Sequence, residues 1–228
     1  CVRPMSEFAP ASALPETEAA SSGTAPAARK RPLPGERRAQ ILQTLAQLLE
    51  QPGGERITTA LLARQLDVSE AALYRHFASK AQMFEGLIEF IEHSVFSLVQ
   101  QVLGREAADP AQGNAQGAEQ AARIVALLLQ FGEKNPGMVR VMVGDALVLE
   151  NERLQARMNQ FFERFESSLR QALRTAAQAH GSAKPTAEAQ VAARLLTDFA
   201  VGRLQRFARS GFRQLPTEQL QASLALVL

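Results

Sequence analysis

Cysteine is almost missing from this chain: Cys1 is the only one in 228 residues. A lone thiol closes no internal disulfide, and no Cys/His group has zinc-ligand spacing, which argues against an oxidising compartment and a metal-built domain. Neither a metal nor a cofactor is expected. Long apolar runs are missing too. None approaches the roughly 20 residues that span a bilayer, and the first residues lack the apolar core of a signal peptide. The expectation is therefore a cytoplasmic protein without a membrane segment. Histidine is scarce: of the three, His93 and His180 have no carboxylate or cysteine arrangement nearby, and no glycine-rich phosphate loop occurs. With Asp145, Glu150 and Glu152 read as solvated carboxylates on a helical surface, an enzyme is not expected. Net charge is also small, at +2. Where the charges sit therefore matters more than their sum.

What is present is helical patterning. From Gly35 onward the apolar residues recur at helical spacing, and no strand-like alternation bounded by hairpin turns interrupts them. The fold class expected is all-α. Residues 1–34, rich in Ala, Pro, Ser and Thr, read as a disordered tail. Its basic finish, "RKRPLPGERR", sets five cations against Glu36 and reads either as a solvated linker or as a phosphate-contacting arm.

Ile41, Leu42, Leu45, Leu48 and Leu49 make the stripe of a first helix that stops at "QPGG". A short second helix starts at Thr58 or Thr59 and ends near Gln65, Asp67 and Val68 form a turn, and Ser69 caps a third helix through His76. "SKAQ", Ser79 to Gln82, is a capping box opening a long fourth helix to about Leu103. A polar loop is expected over 104–117, then a fifth helix broken at Asn135-Pro136-Gly137. Shorter pieces follow, then long helices over 152–179 and 186–209, and a last short one from Thr217.

Two helices of about eight residues joined by a three- or four-residue turn form a helix-turn-helix, whose second helix enters a major groove about 12 Å wide. Leu61, Leu62, Leu66, Val68, Leu73 and Phe77 are the expected locking positions. Ser69, Glu70, Ala71, Ala72 and Arg75 are left facing outward, small enough for close backbone approach, with Arg75 able to pair with guanine. Tyr74, His76 and Lys80 flank the groove within reach of phosphates, Lys80 beside the positive end of the fourth helix, and Thr58 and Thr59 add hydroxyls. Packing roles for Tyr74 and His76 are the alternative.

The stretch "ITTALLARQLDVSEAALYRHFASKAQMFEGL" resembles the DNA-binding domain of the TetR family, with its Ala-Leu-Tyr-x-His-Phe pattern followed by a lysine. The likeness extends from about Arg37 to Arg213 through "LIEFIE", "NPGM" and "GDALVLENERLQARMNQFFERFE", where the chain resembles the nucleoid occlusion branch of that family. The tail before Pro34, residues 107–117 and the stretch after Arg213 depart from the pattern. The resemblance implies a helix-turn-helix domain over 35–80 and a helical dimerisation and partner domain over 81–228. It also implies a homodimer, or a higher-order assembly of it, on palindromic double-stranded DNA, associated with the nucleoid. Its partner would be the tubulin-like division GTPase FtsZ, with the FtsZ tail between the fourth and fifth helices.

On the fourth helix, Phe84, Leu87, Ile88, Ile91, Val95, Leu98 and Val102 share one stripe, whereas Phe90 and Phe96 sit off its centre. Either a partner contact or a second packing surface accounts for them, and the resemblance favours Phe90 as a contact. Leu127, Lys134 and Asn135 match family positions for FtsZ binding, with core packing and a helix cap as the other readings of Leu127 and Asn135. For the dimer, Leu195, Phe199, Leu204 and Phe207 lie near helical spacing beside Gly202, and Phe161, Phe162 and Phe165 cluster on the preceding helix. A four-helix bundle or an intramolecular core fits both sets. The competing function is a repressor that releases DNA when a small ligand enters a pocket near Leu127 to Phe131, Met138, Met142 and Phe161.

Overall fold

A computed structural model describes residues 36–52, 56–105 and 113–228, all helix and turn. The expected tail over 1–34 lies outside the described residues. In order the helices are α1 (Glu36–Glu50), α2 (Thr59–Gln65), α3 (Glu70–Tyr74), α4 (Lys80–Arg105), α5 (Gly113–Lys134), α6 (Pro136–Met142), α7 (Glu152–Ala179), α8 (Pro185–Arg209) and α9 (Leu220–Leu224), with a 3-10 turn at Asp145–Leu147.

The loop expected over 104–117 is shorter than its composition suggested. Gly104 and Arg105 finish α4, and α5 is already helical from Gly113. Alanine and glutamine favour helix about as well as any residues. Pro110, the one strong breaker there, falls between the two helices.

Packing in the first three helices is local. Ile41, Leu45 and Leu49 recur on one face of α1 and are fully buried. Leu62, Leu73 and Phe77 complete that small core, with Leu66 and Val68 partly buried against it. Leu61 does not join them: Leu62 and Ala63 fill the inner face of the short α2, and Leu61 is turned outward. α2 ends in a Schellman motif, in which Val68 N–H donates to Ala63 O at 3.0 Å and Asp67 N–H to Arg64 O at 3.1 Å. Asp67 takes the left-handed position at φ 54°, which short polar side chains tolerate.

The remaining helices bury one another. α4 packs against α1, α5, α6 and α7, so its buried arc is wide. That width decides one open reading and corrects one expectation. Phe96 is core, only 4% exposed, its ring centroid 5.2 Å from that of Phe161 and capped by the Arg164 guanidinium at 3.9 Å. Leu98 is exposed, and Val99 takes the buried position beside it. α7 buries Leu154, Met158, Phe161, Phe165, Leu169 and Leu173 along one stripe and packs on α8 and α5. Across α4 and α7, Arg157 donates to both Glu92 oxygens (3.0 and 2.6 Å), and Arg153 pairs with Glu85 at 2.5 Å. The Glu92 hydrogen bond raises the Arg157 guanidinium above its ordinary pKa.

α1 meets the rest of the molecule at Gly137. A Cβ at that position would lie 2.0 Å from the carbonyl oxygen of Ala46. The α6 backbone therefore rests directly on α1, and the described helices share one compact unit. For Gly137→Ala, the helix propensity gain of about 1 kcal/mol opposes a clash with main chain that no rotamer change relieves. Overpacking of this kind costs about 1–3 kcal/mol. Gly137→Ala is expected to lower the urea midpoint of unfolding, and an unchanged or raised midpoint would contradict the close approach.

Candidate nucleic-acid interface

Three hydrogen bonds build the α2–α3 pair. Thr58 Oγ1 accepts from Leu61 N–H at 3.1 Å and caps α2, and Ser69 Oγ accepts from Ala72 N–H at 3.3 Å and caps α3. Thr59 Oγ1 donates to Glu70 Oε2 at 2.6 Å, so the two helix starts are tied side chain to side chain. The expected helix through His76 stops at Tyr74; Arg75 and His76 continue as a turn, with His76 N–H donating to Leu73 O at 2.9 Å. α1 holds this turn through Arg38, whose guanidinium lies 4.2 Å over the Phe77 ring and donates to His76 O at 3.2 Å. Patterning by apolar spacing does not reveal Arg38, because it binds through its charge.

The outward face then carries Ser69, Glu70, Ala71, Tyr74, Arg75 and His76, all exposed, with Ala72 half-buried. Tyr74 is 45% exposed and stands clear of the core. The exposed side chains of Arg75 and His76 set two donor-bearing groups beside a phenol on one edge. Lys80 differs from the rest. Its ammonium is hydrogen-bonded to Glu150 and lies 5.6 Å from the Phe84 ring centroid. α4 begins with half of the expected capping box: Gln82 N–H donates to Ser79 Oγ at 3.2 Å, but Gln82 Oε1 accepts from Ala78 N–H, at 2.9 Å, one residue before the cap.

A second concavity of about 500 Å³ lies where α1, α4 and α6 meet. Leu42, Ala46, Leu87, Phe90, Asn135 and Met138 line it, and Phe90 is 48% exposed. Phe90 and Asn135 are thus brought together, by α1 and α6 rather than by α5. The Asn135 amide donates to Phe131 O at 2.8 Å and makes no cap bond to α6. Lys134 is exposed, and Leu127 is half-buried outside the residues that line the groove.

The expected dimer residues separate into two sets. Phe161, Phe165, Leu204 and Phe207 are buried within the protomer and offer no surface to a second copy; Phe161 packs its ring against Phe96 of α4, and Phe207 against Phe212. Leu195 (53% exposed), Phe199 and Gly202 lie on the opposite face, where Val191 (72% exposed) extends the stripe. The space beyond the Gly202 Cα is open.

Two short capped helices set on α1, with a polar outward edge and a helical body behind, define a helix-turn-helix DNA-binding protein. Residues 41–87 match the model for bacterial regulatory proteins of the tetR family, and residues 117–228 match the SlmA-like model for tetracyclin repressor-like C-terminal domains. Over 192 residues the chain is 49% identical to nucleoid occlusion factor SlmA of Vibrio vulnificus strain YJ016, covering 84% of this chain and 93% of that protein. It is 48% identical over 186 residues to SlmA of Idiomarina loihiensis, covering 82% and 90%. The chain belongs to the SlmA family of nucleoid occlusion factors. Among solved structures, the TetR family transcriptional regulator PfmR of Thermus thermophilus aligns with a TM-score of 0.66 at 22% identity, covering 83% of this chain and 97% of PfmR. FadR of Bacillus subtilis, solved with stearoyl-CoA, aligns at 0.63 with 13% identity, covering 83% and 96%. These two share the fold.

The Ser69 cap is a large part of what orders a five-residue helix, since a helix this short is not stable by itself. Ser69→Ala is expected to destabilise the protein by about 1 kcal/mol, read as a lower melting temperature. A melt identical to wild type would show that α3 does not depend on its cap.

Proposed function

We propose that this protein binds palindromic chromosomal DNA as a homodimer and, from the DNA, engages FtsZ so that the division ring does not assemble over the nucleoid. The observation that carries the reading is the joint exposure of Tyr74, Arg75 and His76 at the end of a capped, core-anchored α3. With α3 in a major groove, Arg75 pairs with a guanine edge while Tyr74, His76 and Lys80 meet phosphates. Thr59 keeps the Glu70 carboxylate occupied, which limits its repulsion of the DNA backbone.

The α1–α4–α6 groove supports the FtsZ part. Its lining joins the exposed Phe90 and the apolar Leu42, Leu87 and Met138 to polar Gln43, Glu50 and Asn135, which suits an extended peptide with apolar anchors. Lys134 stands next to it in sequence and adds charge for an acidic tail. The Val191–Leu195–Phe199–Gly202 stripe supports the dimer, since an exposed apolar row with a glycine allows two helices to approach closely. The working place for such a molecule is the cytoplasm, on the nucleoid, and its work is binding rather than catalysis. A ligand-responsive repressor is the competing reading; of Leu127 to Phe131, Met138, Met142 and Phe161, offered as its pocket, Leu128, Leu129, Phe131, Met142 and Phe161 are buried in a single apolar cluster, while Leu127 is half-buried and Met138 lines the α1–α4–α6 groove.

Two substitutions separate the surfaces. Arg75→Ala is expected to weaken binding to chromosomal palindrome fragments about 5- to 150-fold, from the loss of roughly 1–3 kcal/mol of base readout, with FtsZ co-sedimentation retained. Phe90→Asp is expected to do the reverse. If Phe90→Asp leaves FtsZ binding intact, the groove assignment is wrong; if Arg75→Ala leaves DNA binding intact, the α3 assignment is.

The dimer has its own test. Leu195→Glu sets a charge on the stripe and is expected to halve the mass measured by light scattering. A dimer that survives this change would place the interface elsewhere.

A further inference from the structure

Lys80 differs from the other residues of the expected DNA face in that its charge is already taken by the other half of the chain. Its ammonium is hydrogen-bonded to Glu150, 70 positions later, in the turn that leads into α7. The Lys80 side chain is 30% exposed and the Glu150 side chain 13%, so water screens the pair less than it screens an open surface pair. The turn is pinned on both sides of Glu150. Ala146 and Leu147 are buried before it, and after it Asn151 caps α7 by accepting from Arg153 N–H at 3.0 Å. Between these anchors Val148 and Leu149 are 77% and 74% exposed. Glu150 thus tethers, through its charged side chain, an otherwise solvent-facing apolar tip.

A carboxylate held on a lysine at the start of α4 occupies the place a DNA phosphate would take. Both are oxyanions, both are attracted to the ammonium and to the positive end of a long helix, and one ammonium cannot serve both fully. We infer that Glu150 is an internal competitor for Lys80, and that phosphate capture of Lys80 releases the Val148–Glu150 turn. This rests on the DNA-binding reading above and adds to it a link from the DNA face to a surface on the body of the protein. Once Lys80 turns to phosphate, Glu150 is left as a largely buried carboxylate without its cation, an unfavourable state that the turn relieves by moving outward. The coupling is reciprocal. A partner that draws Val148 and Leu149 away from the body strengthens DNA binding by the same factor.

The test uses the full chain and a duplex of random sequence, about 30 base pairs long, because a phosphate contact is independent of sequence. Glu150→Gln keeps the shape and removes the charge. It is expected to tighten duplex binding about two- to fivefold. Removing any carboxylate near DNA could tighten binding through the general field, so the same change is made in a Lys80→Gln background, where the gain should vanish. Amide hydrogen exchange over 145–152 is read alongside: in the wild type it should quicken when duplex is added, and in Glu150→Gln it should be fast from the start. A gain of equal size in both backgrounds, weaker binding by Glu150→Gln, or exchange insensitive to duplex would each overturn the competition. Wild-type protein that binds no duplex at all would overturn the DNA reading itself, and the competition with it.

Discussion

Everything functional in this molecule hangs on the meeting of α1 with α6. A 15-residue helix is marginal alone in water, and α1 is held by burying Ile41, Leu45 and Leu49, each worth about 1.5–3 kcal/mol on removal from water. Gly137 lets the α6 main chain sit against the Ala46 carbonyl on a second side of the same helix. α1 therefore belongs at once to the small helix-turn-helix core and to the large helical body. With the α1–α4 packing, that contact joins the α2–α3 pair to the body, and without it the groove containing Phe90 would lose one wall.

Charge acts as the second fastening. Arg38 spans from α1 to the end of α3, Lys80 reaches the turn before α7, and Glu85 and Glu92 on α4 pair with Arg153 and Arg157 on α7. These contacts differ in kind from the apolar core. An apolar interface holds in one arrangement and loses energy when shifted, whereas an ion pair can exchange one partner for another of like charge. Both kinds of contact occur in both parts of the molecule: Leu62, Leu73 and Phe77 give the α2–α3 pair an apolar core beside the Arg38 contact, and α4 and α7 join apolar packing to two ion pairs.

The outer stripe of α8 and the α1–α4–α6 groove follow from leftover faces. α8 buries Leu196, Ala200, Leu204 and Phe207, which leaves Val191, Leu195 and Gly202 exposed with Phe199 half-buried between them. α4 is buried over most of its circumference yet leaves Phe90 at the edge of α1. In each case the protomer's own packing takes first choice of the apolar residues, and the remainder is available to a second chain.

Helix positions, caps and the α2–α3 motif were legible in the sequence because they are set by neighbours a few residues away. Thr58, Ser69 and Ser79 accept from amides three positions on, and the break at Asn135-Pro136-Gly137 is written in residue types that end helices. Periodicity alone was insufficient where burial depends on who the neighbours are. Leu98, expected on the core stripe, is exposed, and Phe96 takes the packing role of its two readings because Phe161 of α7 meets its ring; Phe161, Phe165, Leu204 and Phe207 are likewise buried within the protomer. Arg38 and Glu150 carried no local signal, since each acts on a residue 38 or 70 positions away. The all-helical class, the helix-turn-helix and the candidate DNA-facing residues were readable from the chain alone, because they are products of short-range hydrogen bonding and spacing. Which apolar faces were spent internally, where the groove lies and what holds Lys80 were decided only by tertiary structure, because those are contests between surfaces far apart in the chain.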